Sequence, residues 1–540
     1  MPQHKPVKSL KAACLRNIAK NIDKVWCKDY QENLMDQGRF IYVDGPFDCL
    51  PVSLVNDIID SLKKERLLHR PHLHLLITSG MERLDLSNES VDATILNLIS
   101  FRCKESLKEL SLANCSKMPR LPLKNVFSVL SHLEVLDLSR TGIHDDELGI
   151  LGSNCPRLRE LNVSLSHYVT DKGIQYLFVE ESSGEKEPNF GRCKGLTHLI
   201  IQDTRVTPLG LESALRHLPY LQHLNHPKLV SVLNNMHRSD WKAGATIPQY
   251  HLRSLVADYR SGSSSPSGTS VDVSLSVAAD TCPCVTEAHL LSYRYKDNPD
   301  DLLSFSKLKN LSALNMTIDD TGDENHPGKM DYFSHAVAPV LQACGRSLTV
   351  ITFGEFPPGV DVGVIGICCP SLRELNLAFN RGYKNMSSRL STFHGTPFSS
   401  LKKLNLVCMC SNLTTLHDLS RANCEMNPQD LPALDLPPVH MKSLLSSPVL
   451  ESVFIRESSV LTDELLEEVL SEGQRFLNLR DMELEQCNNL TAQFFHSLLT
   501  LPGPLRSLKV WECKQVTRCD FNSFKSISRR NRWDLRIDWT

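Results

Sequence analysis

Several classes of function are excluded by what this 540-residue chain has little of. No stretch approaches the roughly 18 to 20 uninterrupted apolar residues that a membrane helix needs. Charge of one sign is not in excess: 59 Lys and Arg against 62 Asp and Glu leave a formal charge of −3, which argues against a broad nucleic-acid face. Aromatic residues make up only 6% of the chain. No Gly-x-x-x-x-Gly-Lys-Ser/Thr loop, His-Glu-x-x-His helix or Gly-x-Ser-x-Gly elbow occurs, so phosphate cradling, zinc proteolysis and serine hydrolysis lose their usual signatures. No cofactor is expected. Residues Met1 to Lys11 are polar and lysine-rich, without the apolar run of a secretory signal, and a cytoplasmic or nuclear location is expected.

Cysteine, by contrast, is plentiful, at 18 residues. In a long chain without a visible signal, reduced and mostly buried thiols are expected. Cys282-Pro-Cys284 and Cys408-Met-Cys410 have one-residue spacing, unlike structural zinc knuckles, so no metal is expected.

One phrase recurs along the chain: apolar, two variable, apolar, one variable, apolar. Clear copies are Leu107/Leu110/Leu112, Leu133/Leu136/Leu138, Leu158/Leu161/Val163, Leu372/Leu375/Leu377 and Leu505/Leu508/Val510. Others centre on Leu199, Leu314, Ile351, Leu404, Val453 and Met482, with weaker copies at Leu84, Leu224, Leu255 and Ala288. Leu84, Leu110, Leu136 and Leu161 lie 26, 26 and 25 residues apart. About fifteen units at this spacing predict an α/β leucine-rich-repeat solenoid, a horseshoe in which each unit supplies a short strand and a helix. Thr170-Asp171 and Thr462-Asp463 are placed to cap the helices that follow. The terminal alternation Trp533, Leu535, Ile537, Trp539 predicts a closing strand centred on Leu535. The repeat domain is expected over 71–540, with disordered insertions near 179–192, 260–273, 318–330 and 407–447, the last containing Pro428, Pro432, Pro437 and Pro438. Cysteines beside the repeat strands (Cys115, Cys155, Cys369, Cys487, Cys513) make these units resemble the cysteine-containing leucine-rich repeats of ubiquitin-ligase substrate receptors.

Residues 1–70 do not fit the repeat and are expected to form a small α-helical adaptor. Leu10, Cys14, Ile18 and Ile22 fall on one helical stripe at four-residue steps. Such a stripe must cover the first repeat or meet another protein. Ser9-Leu10-x-x-x-Cys14-x-x-x-Ile18 resembles the elongin-binding box. Leu50-Pro51-x-x-Leu54-x-x-x-Ile58 resembles the cullin-2 box, separated from the first by a spacer of 31 residues. Together they resemble the von Hippel–Lindau box, in the layout of Zyg-eleven and Zer-one type receptors, without their armadillo-type C-terminal domain. The resemblance implies a non-catalytic substrate receptor of a cullin-RING ubiquitin ligase, whose partners are elongin B/C and cullin-2 with its RING subunit. Leu10, Cys14 and Ile18 would then dock elongin C, while Leu50, Pro51, Leu54 and Ile58 would help select cullin-2.

Two other readings stay open. Leu50 to Leu62 also resembles the first helix of an F-box, which binds Skp1, although residues 66–80 already read as the lead-in to the first repeat. The helices could instead simply cap a scaffold unrelated to ubiquitin. Substrate contacts are expected from the variable strand positions. Arg83, Lys108, Glu109, Arg159 and Glu160 are charged, and His198, His223, Val256, His289 and Phe454 mark a candidate pocket for a protein substrate.

Overall fold

In the computed structural model, residues 9–33, 45–115, 117–179, 193–259, 274–293, 300–318, 333–356, 360–379, 397–408, 436–471, 476–501 and 503–540 are described. The chain divides into two compact units, Val7–Leu255 and Val256–Thr540. Of the insertions expected near 179–192, 260–273, 318–330 and 407–447, residues 180–192, 260–273, 319–330 and 409–435 lie outside the described residues. Among the described residues no helix is long and apolar enough to cross a membrane.

In the first unit, strands β1 (Arg83–Asp85), β2 (Glu109–Ser111), β3 (Val135–Asp137), β4 (Glu160–Asn162), β5 (His198–Ile200) and β6 (His223–Asn225) form a parallel sheet in chain order. The second sheet holds β7 (Ser254–Asp258), β8 (Glu287–Tyr293), β9 (Ala313–Ile318), β10 (Val350–Phe356), β11 (Glu374–Phe379), β12 (Lys403–Cys408), β13 (Ser452–Arg456), β14 (Asp481–Glu485), β15 (Ser507–Trp511) and β16 (Arg536–Trp539), again in chain order. Every expected repeat centre lies in one of β1 to β15. The strands form two sheets rather than one, because β6 is followed by the long helix Leu229–Lys242 and by irregular chain before β7.

The register aligns the repeat leucines. Leu84 sits opposite Leu110, Leu110 opposite Leu136, Leu136 opposite Leu161, and each is buried. A parallel ladder of this kind buries one side chain per strand under its neighbours, which no single repeat can do. Strands β1, β3 and β4 stop after three residues because Asp85, Asp137 and Asn162 turn back on themselves. Their Oδ1 atoms accept the backbone N–H two residues on, at 2.9, 2.9 and 3.1 Å.

Two expectations need correction. The closing strand is centred on Ile537, which pairs with Leu508, and not on Leu535. Strict period-two alternation repeats the same pattern every second residue, so it leaves the register open by two. The insertion expected over 407–447 is narrower at both ends: Val407 and Cys408 continue β12, and Pro437-Pro438 opens the helix Pro438–Leu445. Proline at the first helical position gives up an N–H that has no partner there anyway.

Neighbouring helices are fastened by a recurring clamp. The Asp145 carboxylate accepts from Thr170 N–H (2.8 Å) and Thr170 Oγ1 (2.6 Å) of the next repeat, and Asp171 does the same for Thr207 at 2.7 and 2.6 Å. Asp463 and Thr491 repeat the device in the second unit, at 3.0 and 2.5 Å. Gly173 and Gly210 lie directly beneath the carboxylates of Asp145 and Asp171, where a Cβ would collide with them. The buried cysteines join repeats in the same way. Thiols of Cys115, Cys155 and Cys344 point at carbonyls of Leu86 (3.3 Å), Leu130 (3.4 Å) and Phe305 (3.3 Å) of the preceding repeats. Burial pushes the Cys155 thiol up to about 12, so it stays protonated. Cys369 is buried as expected of a core thiol, whereas Cys368 is only half-buried.

Asp145→Ala strips two donors of Thr170 of their acceptor, and Gly173→Ala forces a methyl group into the same carboxylate. Each should destabilise the first unit by about 1–3 kcal/mol. Chemical denaturation followed by far-UV circular dichroism measures this. Unchanged midpoints for both variants would show that the clamp contributes nothing.

Candidate functional site

Helix α1 (Leu10–Ile22) begins where the Ser9 hydroxyl accepts the Ala12 N–H at 3.1 Å, filling a donor that the first helical turn leaves unpaired. One π-helical turn, Asp23–Cys27, leads into α2 (Lys28–Asn33). Helix α3 (Val52–Lys64) starts after Pro51, and α4 (Arg70–Leu76) precedes β1. Helix α1 packs on α3, with Lys11 paired to Asp57 at 2.5 Å and Arg16 near Glu65 at 3.9 Å. Both pairs are largely solvated and orient the helices more than they stabilise them.

The stripe read from the sequence splits along its length. Ile22 and Ala19 are buried, Ile18 is half-buried, Cys14 is exposed and Leu10 is 81% exposed. The cullin-like residues divide as well: Pro51 is exposed, and Leu50 and Leu54 are half-buried. Ile58 is only 1% exposed and lies in the core with Val55, Ile59 and Leu62, so it is not an available contact. The reason is helical period. A four-residue step drifts by about 40° per step on a 100° helix, so the stripe from Leu54 to Leu62 winds from solvent into the core.

These helices are continuous with the first repeat. Lys63 reaches Asp85 at 2.8 Å and the Ser87 hydroxyl at 3.1 Å, binding α3 to the end of β1. Arg102, well buried, pairs with Asp48 at 3.3 Å and donates to the Ile77 carbonyl at 3.1 Å. His74 joins three segments, with Tyr30 Oη at 2.8 Å on Nδ1 and Thr94 Oγ1 at 3.2 Å on Nε2. Burial holds its imidazole down at about 4, with Arg70 adding to the effect.

One cluster was not foreseen from the sequence. Asp23, Cys27 and His72 bring possible metal-ligand atoms within 4.8 Å of one another. Their hydrogen bonds oppose a metal there. His72 Nδ1 accepts the His69 N–H at 3.1 Å, so the ring proton is on Nε2, which donates to Asp23 at 2.7 Å. A histidine bound to metal through Nε2 would carry its proton on Nδ1, facing that same N–H. Burial also pushes the Cys27 thiol up to about 12, with Asp23 raising it further. The cluster works as a hydrogen-bonded clasp between the π-turn and α4. Spacing gave no hint of it, since 45 residues separate Cys27 from His72.

The expected substrate residues do not form one pocket. His198 and His223 occupy the first outward position of adjacent strands β5 and β6, where their rings stack at 4.4 Å and 10°. Glu160 approaches His198 at 3.7 Å, and Arg83 pairs with Glu109 at 3.3 Å on the same row. Val256, His289 and Phe454 belong to the second sheet and to the second outward position. Val256 is 8% exposed and so is not a free contact. Five strand steps separate His289 from Phe454, about 24 Å at the usual spacing. Sequence reading missed Asn315, Asn376 and Asn405, which fill that second position in β9, β11 and β12. Their signal was present as Leu-Asn-Met, Leu-Asn-Leu and Leu-Asn-Leu at 314–316, 375–377 and 404–406.

Comparison with known proteins places this geometry. Residues 55–171, from within α3 through the first four repeats, match the family described as At1g61320/AtMIF1, LRR domain. The chain therefore contains a leucine-rich-repeat domain, a protein-interaction module. Among solved structures it is similar to the yeast Rad7 and Elc1 complex, at 14% identity and a TM-score of 0.43, covering 95% of this chain and 96% of that one. A leucine-rich-repeat protein of Leptospira interrogans is similar at 15% identity and a TM-score of 0.35, covering 87% and 92%. No curated protein matches the sequence.

His74 and His226 give a pH prediction. Burial lowers both from 6.5 to about 4, so the unfolded chain binds more protons than the folded one between those values. Stability should be fully present above about pH 6.5 and fall toward pH 4, by up to about 1.4 kcal/mol per pH unit for each group. Denaturation midpoints across that range, for the wild type and His226→Asn, test this. A variant as acid-sensitive as the wild type would remove His226 from the account.

Proposed function

We propose that this chain is a non-catalytic substrate receptor of a cullin-RING ubiquitin ligase. Its N-terminal helix docks an elongin C-type adaptor, and its strand faces hold a protein substrate. The observation that carries the reading is Leu10: a large apolar side chain, 81% exposed at the start of a capped helix, with exposed Cys14 one turn on. A leucine that served only as a cap would be covered, as Ile22 is. Leu10, Cys14 and Ile18 are the docking residues for elongin C, while Leu50, Pro51 and Leu54 are those toward cullin-2. The receptor acts by proximity, raising the local concentration of a substrate lysine beside the charged conjugating enzyme.

The F-box alternative finds less room. Residues 70–76 form α4, which packs on the first repeat helix, Ala93–Arg102, and so belong to the repeat array rather than to a separate adaptor fold.

Purification of the tagged wild type and a Leu10→Ser/Cys14→Phe double variant from cells, with blots for elongin C and Skp1, tests the reading. The wild type should retain elongin C and the variant should lose it, with Skp1 absent from both. The variant should melt like the wild type, because both side chains are exposed. Elongin C missing from both, or retained by the variant, overturns the proposal.

A further inference from the structure

The second sheet carries a row of outward side chains whose chemistry changes abruptly at β13. From β8 to β15 the second outward position reads His289, Asn315, Thr352, Asn376, Asn405, Phe454, Glu483 and Lys509. The first part is polar, in two hydrogen-bonded runs that do not join among the described residues, His289 with Asn315 and Thr352 with Asn376 and Asn405. Asn315 Nδ2 meets His289 Nδ1 at 2.9 Å, Asn376 Nδ2 donates to Thr352 Oγ1 at 3.0 Å, and Asn405 Nδ2 donates to Asn376 Oδ1 at 2.5 Å. At Asn405 the second run stops. Its Oδ1 and second amide hydrogen have no partner among the described residues.

Beyond it lies an open groove of about 510 Å³, whose lining includes Asn405, Val407, Phe454, Asp481, Met482 and Lys509. Val407 and Phe454, both part-exposed on the outward face, give it an apolar wall. The charges on its other side are unequal in what they have left to offer. Glu483 is taken, accepting from Lys509 Nζ at 2.8 Å and from Trp511 Nε1 at 3.0 Å, so the Lys509 charge is spent within the protein. Asp481 is exposed and has no ion pair among the described residues. Among the described residues the groove therefore presents three unfilled functions side by side: an apolar surface, a side-chain amide with one acceptor and one donor free, and a carboxylate without a cation.

We propose that this groove binds an extended segment of a partner protein in which an apolar side chain lies next to a lysine or arginine. The apolar side chain packs on Phe454, the basic head reaches Asp481, and Asn405 pairs with one backbone peptide group between them. An amide side chain matches a peptide group because each offers one donor and one acceptor in a plane. The free carboxylate selects a cationic segment and disfavours nucleic acid or an acidic peptide. An open groove suits a protruding chain segment better than a small molecule, which needs enclosure. The proposal deepens the reading that strand faces hold the substrate, but it does not depend on adaptor docking at α1.

Selection of a phage-displayed random dodecapeptide library on the purified full chain, without adaptor proteins, tests it. Enriched peptides should share an apolar residue adjacent to Lys or Arg. Synthetic copies should bind Phe454→Ser about tenfold or more weakly, the loss usual for a central apolar contact. Selection on Asp481→Lys should exchange the basic residue for Asp or Glu. Circular dichroism of each variant guards against unfolding, and both side chains reach the surface. No consensus, an acidic consensus on the wild type, or equal binding to folded Phe454→Ser overturns the proposal. None of these outcomes bears on elongin C binding, which the α1 variant tests separately.

Discussion

A strand of three residues cannot bury its own apolar side chain, and everything else in this protein follows from that constraint. Leu110 is sealed only because Leu84 and Leu136 stand on either side of it in register. Stacking satisfies the hydrophobic demand of each unit through its neighbours, at about 25 cal/mol per Å² of apolar surface removed from water. It also dictates what must happen at the junctions. Helices that follow the strands come close enough for Asp145 to accept from Thr170, and for glycine to be required at 173 beneath that carboxylate. Cysteine suits the same junctions because it is small, apolar and able to direct a weak S–H donor at a neighbouring carbonyl.

The same constraint gives the N-terminal helices two tasks. The first repeat has no preceding repeat, so α3, the π-turn and α2 cover it with Val55, Ile58, Leu62, Cys27 and Tyr30. The cover is fixed by directional contacts: Lys63 to Asp85, Arg102 to Asp48, and the imidazoles of His72 and His74. Helix α1 is longer than this cover requires. Its last turns are used in the core and its first turns are left over, with Leu10 and Cys14 in solvent. A cap and the proposed adaptor are thus not rival readings of one segment: the buried end serves the first, and the exposed end is what the second would use.

Outward side chains are free of the packing rule, and there the two sheets differ. The first sheet presents Glu160 and a stacked pair of histidines at its C-terminal edge. The second presents a row of hydrogen-bonded amides that gives way to Phe454 and to Asp481, which has no ion pair among the described residues. Charged pairs on these faces, such as Arg83 with Glu109, are exposed and exchange water readily, so they contribute more to the electrostatic pattern than to stability.

Much of this was legible in the sequence, and the part that was has one cause: translation along a repeat preserves period. The strand centres from Leu84 to Leu508, the inward leucines, the Thr caps and the buried thiols all recur, so each copy corroborated the others. The stripe on α1 was legible too, because four-residue spacing is local. What the tertiary structure alone decided lacks that periodicity. It set the break between β6 and β7, the pairing of Ile537 rather than Leu535 with Leu508, and the burial of Ile58 and Val256. It brought Cys27 within reach of His72 across 45 residues, and it separated His289 from Phe454 by five strand steps. Sequence spacing fixes which face of its own element a side chain occupies. Which other element covers that face is a fact of packing between distant segments, and only the folded chain contains it.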